Sequence, residues 1–177
     1  MDSCNHWSKN LSALSLVSML LTGILTLATA KPAQAQAAYG SYVGIGIAFS
    51  PTEDSNGDGE DFQGVIAGRY RILESPISIR AQAFLLGDSS AIVPTISFDV
   101  PISWQTDVYL GAGIAFTGGD EPSVVGDTTS FVLQPGVDYI LPNSNLVFFG
   151  NAVIAFDAYR NGDDIAASFQ GGVGIQF

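Results

Sequence analysis

The last thirteen residues of the chain, 165–177, alternate between apolar and small or polar side chains. Because successive side chains of a strand point to opposite faces of a sheet, this period of two predicts a β-strand with one apolar face. Seven earlier segments show the same period, and turn-forming residues separate them. The eight predicted strands are Tyr42–Ser50, Phe62–Ile72, Ile77–Leu86, Ile92–Val100, Thr106–Thr117, Phe131–Leu141, Leu146–Tyr159 and Ile165–Phe177.

The length and number of these segments predict a membrane-spanning architecture. Each segment is close to the nine to eleven residues that a tilted strand needs to cross a bilayer. An even number of antiparallel strands can close on itself, which removes the unpaired edges that hydrocarbon cannot solvate. The chain is also rich in hydrophobic residues (47%) and poor in charged ones (13%), whereas a soluble surface needs more charge. We therefore predict an all-β fold, an eight-stranded antiparallel up-and-down transmembrane β-barrel. Pro94 and Pro135 each remove one ladder donor and are candidate bulge positions.

The connections between the predicted strands alternate in length, as they do in such barrels. Residues 73–76, 101–105 and 142–144 are short turns, and 51–61, 87–90, 118–130 and 161–164 lie at the other end. Both chain termini fall on the short-turn side, which we expect to face the periplasm. Aromatic residues should form two interfacial girdles. One is expected near the long loops (Phe49, Phe62, Phe116, Phe131, Phe156, Phe169) and one near the short turns (Tyr70, Phe98, Trp104, Tyr139, Phe148, Phe177).

The first 37 residues have the pattern of a secretory signal peptide. Lys9 precedes an uncharged apolar stretch, residues 11–30, and alanines follow in the A-x-A spacing at 33–35 and 35–37. The alternative is a retained transmembrane anchor, since about twenty apolar residues can span a bilayer. We expect residues 1–37 to be cleaved and 38–177 to form the barrel domain. Cys4 precedes the apolar stretch, and this position argues against a lipoprotein, in which the cysteine follows the apolar core.

Several charged residues fall on the polar faces of the predicted strands. A charge that faces lipid near the bilayer midplane costs a few kcal/mol, so these side chains should point into the barrel. We predict that they form a charge network there. Its functional interpretation is a plug or a small gated path, and its alternative is structural filling, which the narrow interior of an eight-stranded barrel favours. The predicted network comprises Arg69, Arg71, Arg80, Asp99, Asp107, Asp138 and Asp157.

One acidic loop matches the beginning of a calcium-binding motif. Asp54, Asn56 and Asp58, followed by Gly59, fit the D-x-[DN]-x-[DN]-G pattern, and Glu60 could supply a further oxygen. The twelfth position, however, is Val65 in place of the usual bidentate glutamate. The alternative is a solvated acidic turn, which the incomplete pattern favours. Calcium bound weakly in this outer loop is therefore the one cofactor that the sequence suggests, and the incomplete motif does not assign a metal site.

The residue inventory also bears on catalysis and partners. The only cysteine and the only histidine, Cys4 and His6, lie in the leader, so Ser–His and Cys–His nucleophilic catalysis is absent from 38–177. We predict that the protein is not an enzyme. The chain carries 17 acidic and 6 basic residues, which argues against binding to nucleic acid.

The region 38–177 resembles the small eight-stranded outer-membrane barrels of the OmpA/OmpX and opacity-protein-like group. The opening Tyr42-Val43-Gly44-Ile45-Gly46 and the closing segment 171–177, GGVGIQF, carry this resemblance. It implies location in a bacterial outer membrane, contact with outer-membrane lipid, and recognition of the closing Phe177 by the barrel-insertion machinery. It also implies a role in envelope integrity, adhesion, surface recognition or limited permeation, with a specific extracellular partner left open.

Three functions remain open from the sequence. The first is an integral outer-membrane barrel with a structural, envelope-integrity or surface-interaction role and a lumen filled by side chains. The second is a narrow porin-like channel for ions or small solutes. The third is a soluble periplasmic lipocalin-like barrel, which would enclose its apolar face around a ligand and turn its polar face to water.

Overall fold

A computed structural model describes residues 40–52, 62–72, 75–85, 89–118, 122–160 and 165–177 of the chain. The predicted signal peptide and the acidic loop Asp54–Glu60 lie outside the described residues. The eight strands are β1 (Tyr42–Phe49), β2 (Phe62–Arg71), β3 (Ile77–Leu85), β4 (Ser90–Pro101), β5 (Thr106–Gly118), β6 (Ser130–Ile140), β7 (Leu146–Phe156) and β8 (Ala166–Gln176).

The strands form a closed up-and-down barrel. Every strand pairs in antiparallel fashion with its neighbours in sequence, and β8 closes the ring on β1 through eight consecutive residue pairs, from Tyr42 with Gln176 to Phe49 with Phe169. The backbone N–H of Phe177 extends this closure by donating to the carbonyl of Ser41 at 2.9 Å. The predicted fold class is thereby confirmed. The described residues include no helical stretch with the length and hydropathy that a membrane span requires.

Burial alternates along every strand, and the apolar face is the exposed one. In β1, Tyr42, Gly44 and Ala48 are buried, whereas Val43 and Ile45 are exposed. The outward positions of the eight strands carry no charged residue. The lipocalin-like alternative requires the opposite arrangement, with apolar side chains enclosed and polar ones outside. The exposed apolar wall therefore contradicts it.

Two details of the strands differ from the sequence-based predictions. The register of β4 with β5, and that of β6 with β7, is the same on both sides of Pro94 and Pro135. Each proline therefore removes one backbone N–H donor from the sheet without introducing a bulge. The seventh strand ends at Phe156, three residues earlier than predicted, because Asp157 adopts a left-handed backbone with φ 56°. A left-handed residue cannot continue the extended ladder.

Candidate functional site: the barrel interior

Arginines and aspartates form an ion cluster inside the barrel. Nη2 of Arg69 lies 2.8 Å from Asp99 Oδ2 and 2.9 Å from Asp107 Oδ2. Its Nη1 lies 3.1 Å from Asp138 Oδ2. Nη2 of Arg80 lies 2.8 Å from Asp138 Oδ2 and 3.2 Å from Asp99 Oδ1. Arg71, which is partly exposed, reaches Asp107 at 3.6 Å. The ion cluster thus consists of Arg69, Arg71, Arg80, Asp99, Asp107 and Asp138.

Strand register explains why these charges depend on one another. Arg69 is directly opposite Arg80 in the β2–β3 pair, and Asp107 is directly opposite Asp138 in the β5–β6 pair. Like charges directly opposite each other destabilise a sheet. Each repulsive pair is compensated because the two arginines reach the aspartates across the lumen. Three cations and three anions then balance, as a buried charge group requires.

Hydroxyl and aromatic side chains surround the ion cluster. Tyr42 donates its hydroxyl hydrogen to Asp138 Oδ1 at 3.0 Å, and Ser97 donates to Asp99 Oδ1 at 2.8 Å. Ser78 also donates to Asp99. The guanidinium carbon of Arg80 lies 3.3 Å from the centre of the Tyr109 ring, an arrangement typical of a cation–π contact. These contacts supply hydrogen-bond partners to charges that water does not reach.

An amide layer adjoins the ion cluster. Nε2 of Gln82 and Nε2 of Gln134 both donate to Asn151 Oδ1, at 3.3 and 3.2 Å. The hydroxyl of Thr95 donates to Gln134 Oε1 at 2.6 Å. Four strands contribute to this network, which links opposite parts of the wall. We call Gln82, Thr95, Gln134 and Asn151 the amide layer.

Inward glycines make room for the large aromatic side chains of the lumen. A Cβ added to Gly136 would lie 2.4 Å from Cζ of Tyr109. A Cβ added to Gly172 would lie 2.5 Å from Cζ of Phe149, whose ring stacks on that of Tyr42 at 6.0 Å. The missing side chains at these positions leave room for the two rings. The rings then occupy the part of the lumen that the small residues leave open.

The part of the interior nearer the long loops contains an apolar section, beside which Ser168 and Gln170 are also buried. Side chains from several strands are almost fully buried there, and they join one hydrophobic cluster. The sequence analysis did not predict this section because it recognised the inner face by its polar and charged residues, although Val65 and Phe84 lie in phase with Arg69 and Gln82. Its larger members are Val65, Phe84, Val93, Val132 and Val153.

The structure brings together six of the seven residues predicted for the lumen network. The exception is Asp157, whose prediction is wrong: it follows the end of β7 and is exposed. Its backbone carbonyl accepts a hydrogen bond from the Thr128 hydroxyl at 2.8 Å. The left-handed turn at this residue rotates its side chain away from the lumen. The weak calcium candidates, residues 54, 56, 58 and 60, lie outside the described residues.

The outer wall has the chemistry of a lipid-facing surface. Ile96 on β4 and Ile45 on β1 are 63% and 67% exposed. Aromatic pairs flank the aliphatic band at the long-loop end, where the rings of Phe49 and Phe62 lie 5.2 Å apart. Tyr139 and Phe148 are register partners at the short-turn end. An exposed apolar surface this extensive is unstable in water, so the barrel spans a membrane.

Known structures share this architecture. The sequence matches no protein-family model and no curated protein. A crystal structure of Neisserial surface protein A is similar with a TM-score of 0.53 and 18% identity, over 78% of this chain and 98% of that one. The chain has the fold of a small outer-membrane β-barrel.

Two further structures have the same transmembrane barrel fold. The Yersinia pestis outer membrane protein Ail, determined in a phospholipid bilayer nanodisc, gives a TM-score of 0.51 at 16% identity, over 78% of this chain and all (100%) of that one. A de novo designed transmembrane β-barrel gives 0.54 at 9% identity, over 78% of this chain and 96% of the design. At 9% identity, the similarity to the designed barrel shows a shared fold.

Proposed function

We propose that this protein is an integral barrel of the bacterial outer membrane with a structural, envelope-integrity or surface-interaction role. The observation that carries the proposal is an uncharged apolar wall around a lumen filled by side chains. Such a barrel contributes a rigid scaffold, and the loops between its strands are the parts that can meet partners outside the cell. Outer-membrane lipid is its first partner, and its specific extracellular partner is unidentified.

Its interior argues against the channel alternative. A permeating ion would have to displace the Arg69 and Arg80 guanidinium groups from their carboxylates and then cross the apolar section around Phe84. Breaking buried ion pairs costs several kcal/mol. The eight-stranded cross-section offers no space beside these groups.

The same interior supports a non-enzymatic role. A general acid must donate a proton to the substrate and a general base must accept one from it, so either needs access to the substrate. Asp99, Asp107 and Asp138 are instead about 1% exposed and held by arginines. We infer that these carboxylates stabilise the barrel.

Phe177 is proposed as the signal by which the insertion machinery recognises the last strand. It is 78% exposed and continues the apolar face of β8. Phe177→Ala should lower the amount of protein assembled in the membrane while leaving the stability of the purified barrel unchanged. The matched control is Phe169→Ala on the same face. Equal loss of assembly in both variants would contradict a signal at the terminal position.

Membrane fractionation tests the main proposal. The protein expressed from the full chain should be recovered in the outer-membrane fraction and require detergent for extraction. On a denaturing gel, the unboiled sample should migrate differently from the boiled one, because a closed barrel resists the detergent until heated. Recovery in the soluble periplasm without detergent would contradict the proposal.

A further inference from the structure

The connection between β5 and β6 contains a buried segment, although such connections usually lie at the surface. Val124 and Val125 are both 0% exposed and belong to the same hydrophobic cluster as Phe84 and Val153 of the apolar section. We call Pro122–Thr128 the mouth segment. Since the apolar section lies at the long-loop end of the strands, the two valines occupy the outer mouth of the barrel.

Hydrogen bonds to inward-facing residues hold the mouth segment in place. The backbone N–H of Val124 donates to Gln63 Oε1 at 3.3 Å. Gln63 Nε2 donates to the carbonyl of Ser89 at 2.9 Å, and the Ser89 hydroxyl donates to the carbonyl of Pro122 at 3.1 Å. Gln63 is 3% exposed, so these contacts lie inside the wall.

The segment also has a defined backbone geometry. Gly126 has φ 100°, a left-handed conformation that favours glycine, and a Cβ there would lie 2.2 Å from the carbonyl oxygen of Ala158. Ser123 and Gly126 exchange two backbone hydrogen bonds, at 2.8 and 2.9 Å. The N–H groups of Asp127 and Thr128 both donate to the Ala158 carbonyl, at 2.9 and 3.1 Å. These hydrogen bonds and the glycine at 126 therefore fix the backbone of the mouth segment against Ala158.

We propose that the lumen is closed by two seals in series, the mouth segment at the outer end and the ion cluster with the amide layer at the inner end. Gln63 and Arg69 mark the two seals on one strand. They are six positions apart in sequence, which corresponds to about 20 Å along the strand. The apolar section fills the space between. This inference goes beyond the proposed function, because it assigns the mouth segment of the β5–β6 connection to the barrel interior.

Cysteine accessibility distinguishes the two seals. Single cysteines are placed at Val153 in the apolar section, at Ser97 in the inner seal and at the exposed Thr129, in a Cys4→Ser background. The protein is purified from membranes in detergent micelles and treated with a charged, water-soluble maleimide. With the native mouth segment, only Thr129→Cys should react.

Opening the mouth should expose one site and leave the other protected. When residues 123–127 are replaced by a Gly-Ser segment of equal length, labelling of Val153→Cys should accelerate at least tenfold and that of Ser97→Cys should stay unchanged. The matched control replaces turn residues 142–145 at the other end in the same way and should alter neither rate. A second variant, Val124→Asn with Val125→Asn, keeps the backbone intact. Heat-modifiable migration verifies that each variant is folded.

Two outcomes would overturn the proposal. If Val153→Cys reacts at the same rate in every folded variant, the mouth segment is not a seal. If Ser97→Cys becomes reactive together with Val153→Cys, the interior is closed by one continuous seal and not by two.

Discussion

Arg69 shows how a single side chain stabilises this interior. It contacts three buried carboxylates within 3.1 Å, two of which, Asp107 and Asp138, are register partners of like charge. Removing the guanidinium leaves those carboxylates without their main compensation. Removing one partner of a buried ion pair lowers the free energy of unfolding by more than the intact pair contributes to it, because the remaining charge stays buried without a partner.

The change Arg69→Met should therefore lower the free energy of unfolding by about 3–5 kcal/mol. Urea unfolding in detergent micelles, followed by tryptophan fluorescence, measures it. The matched control is Arg160→Met, since Arg160 pairs with Asp127 at 3.8 Å and its side chain is 65% exposed. That change should cost about 1 kcal/mol or less. Equal effects of the two substitutions would contradict a structural role for the ion cluster.

The lumen beside Gly136 has no space for an additional methyl group. Gly136→Ala should destabilise the barrel by about 1–3 kcal/mol, because the new methyl group overlaps the Tyr109 ring. Gly150→Ala is the control, because its Cβ would meet its nearest atom at 3.8 Å. It should be neutral or slightly stabilising in the same unfolding assay. A destabilised Gly150→Ala with an unaffected Gly136→Ala would show that the interior has free space.

At the scale of the strand, the alternation of polar and apolar residues is the sequence property that predicts the structure. Polar and apolar residues in alternation predicted all eight strands, with ends that agree within three residues, and placed Arg69 and Asp138 on the inner face. Alternation also places Val65 and Val93 on the inner face, in phase with Arg69 and Asp99. It does not predict that apolar side chains fill one end of the lumen, because an inward apolar residue looks like an outward one until a polar neighbour fixes the phase.

Other features depend on backbone geometry that has no pattern in the sequence. Asp157 continues the period of two, yet its left-handed φ ends β7 before the side chain can enter the lumen. Val124 and Val125 lie between serine and glycine, outside any alternating run, so their burial could not be inferred. Both arise from contacts between the β5–β6 connection and the residues that follow β7.

The direction of each strand face leads to a prediction about lipid contact. Ile96→Arg, near the middle of β4, should destabilise the barrel by about 2–4 kcal/mol in lipid vesicles, because the charge faces the bilayer core. Ile102→Arg is the control: Ile102 is 62% exposed, against 63% for Ile96, but lies in the short turn after β4. Its cost should be about 0–1 kcal/mol. Equal costs would show that Ile96 does not face hydrocarbon.

At the scale of the whole molecule, the barrel inverts the arrangement of a soluble protein. Its exposed surface is apolar and uncharged across the strands, while its polar contacts are concentrated inside. Closure through β8 and β1 makes this possible because it removes both sheet edges. The interior then has two tasks: it satisfies buried charges at one end and excludes water at the other. Both tasks favour a filled lumen over a pore.

Conductance in planar bilayers tests this central claim most directly. Protein purified from membranes and reconstituted at single-molecule dilution should give no stepwise current above that of the bare bilayer, at either polarity and in molar salt. Insertion must be verified in the same preparation by heat-modifiable migration. Reproducible unitary steps from the folded barrel, altered by Arg69→Met, would contradict a closed lumen and support a conducting path through the ion cluster.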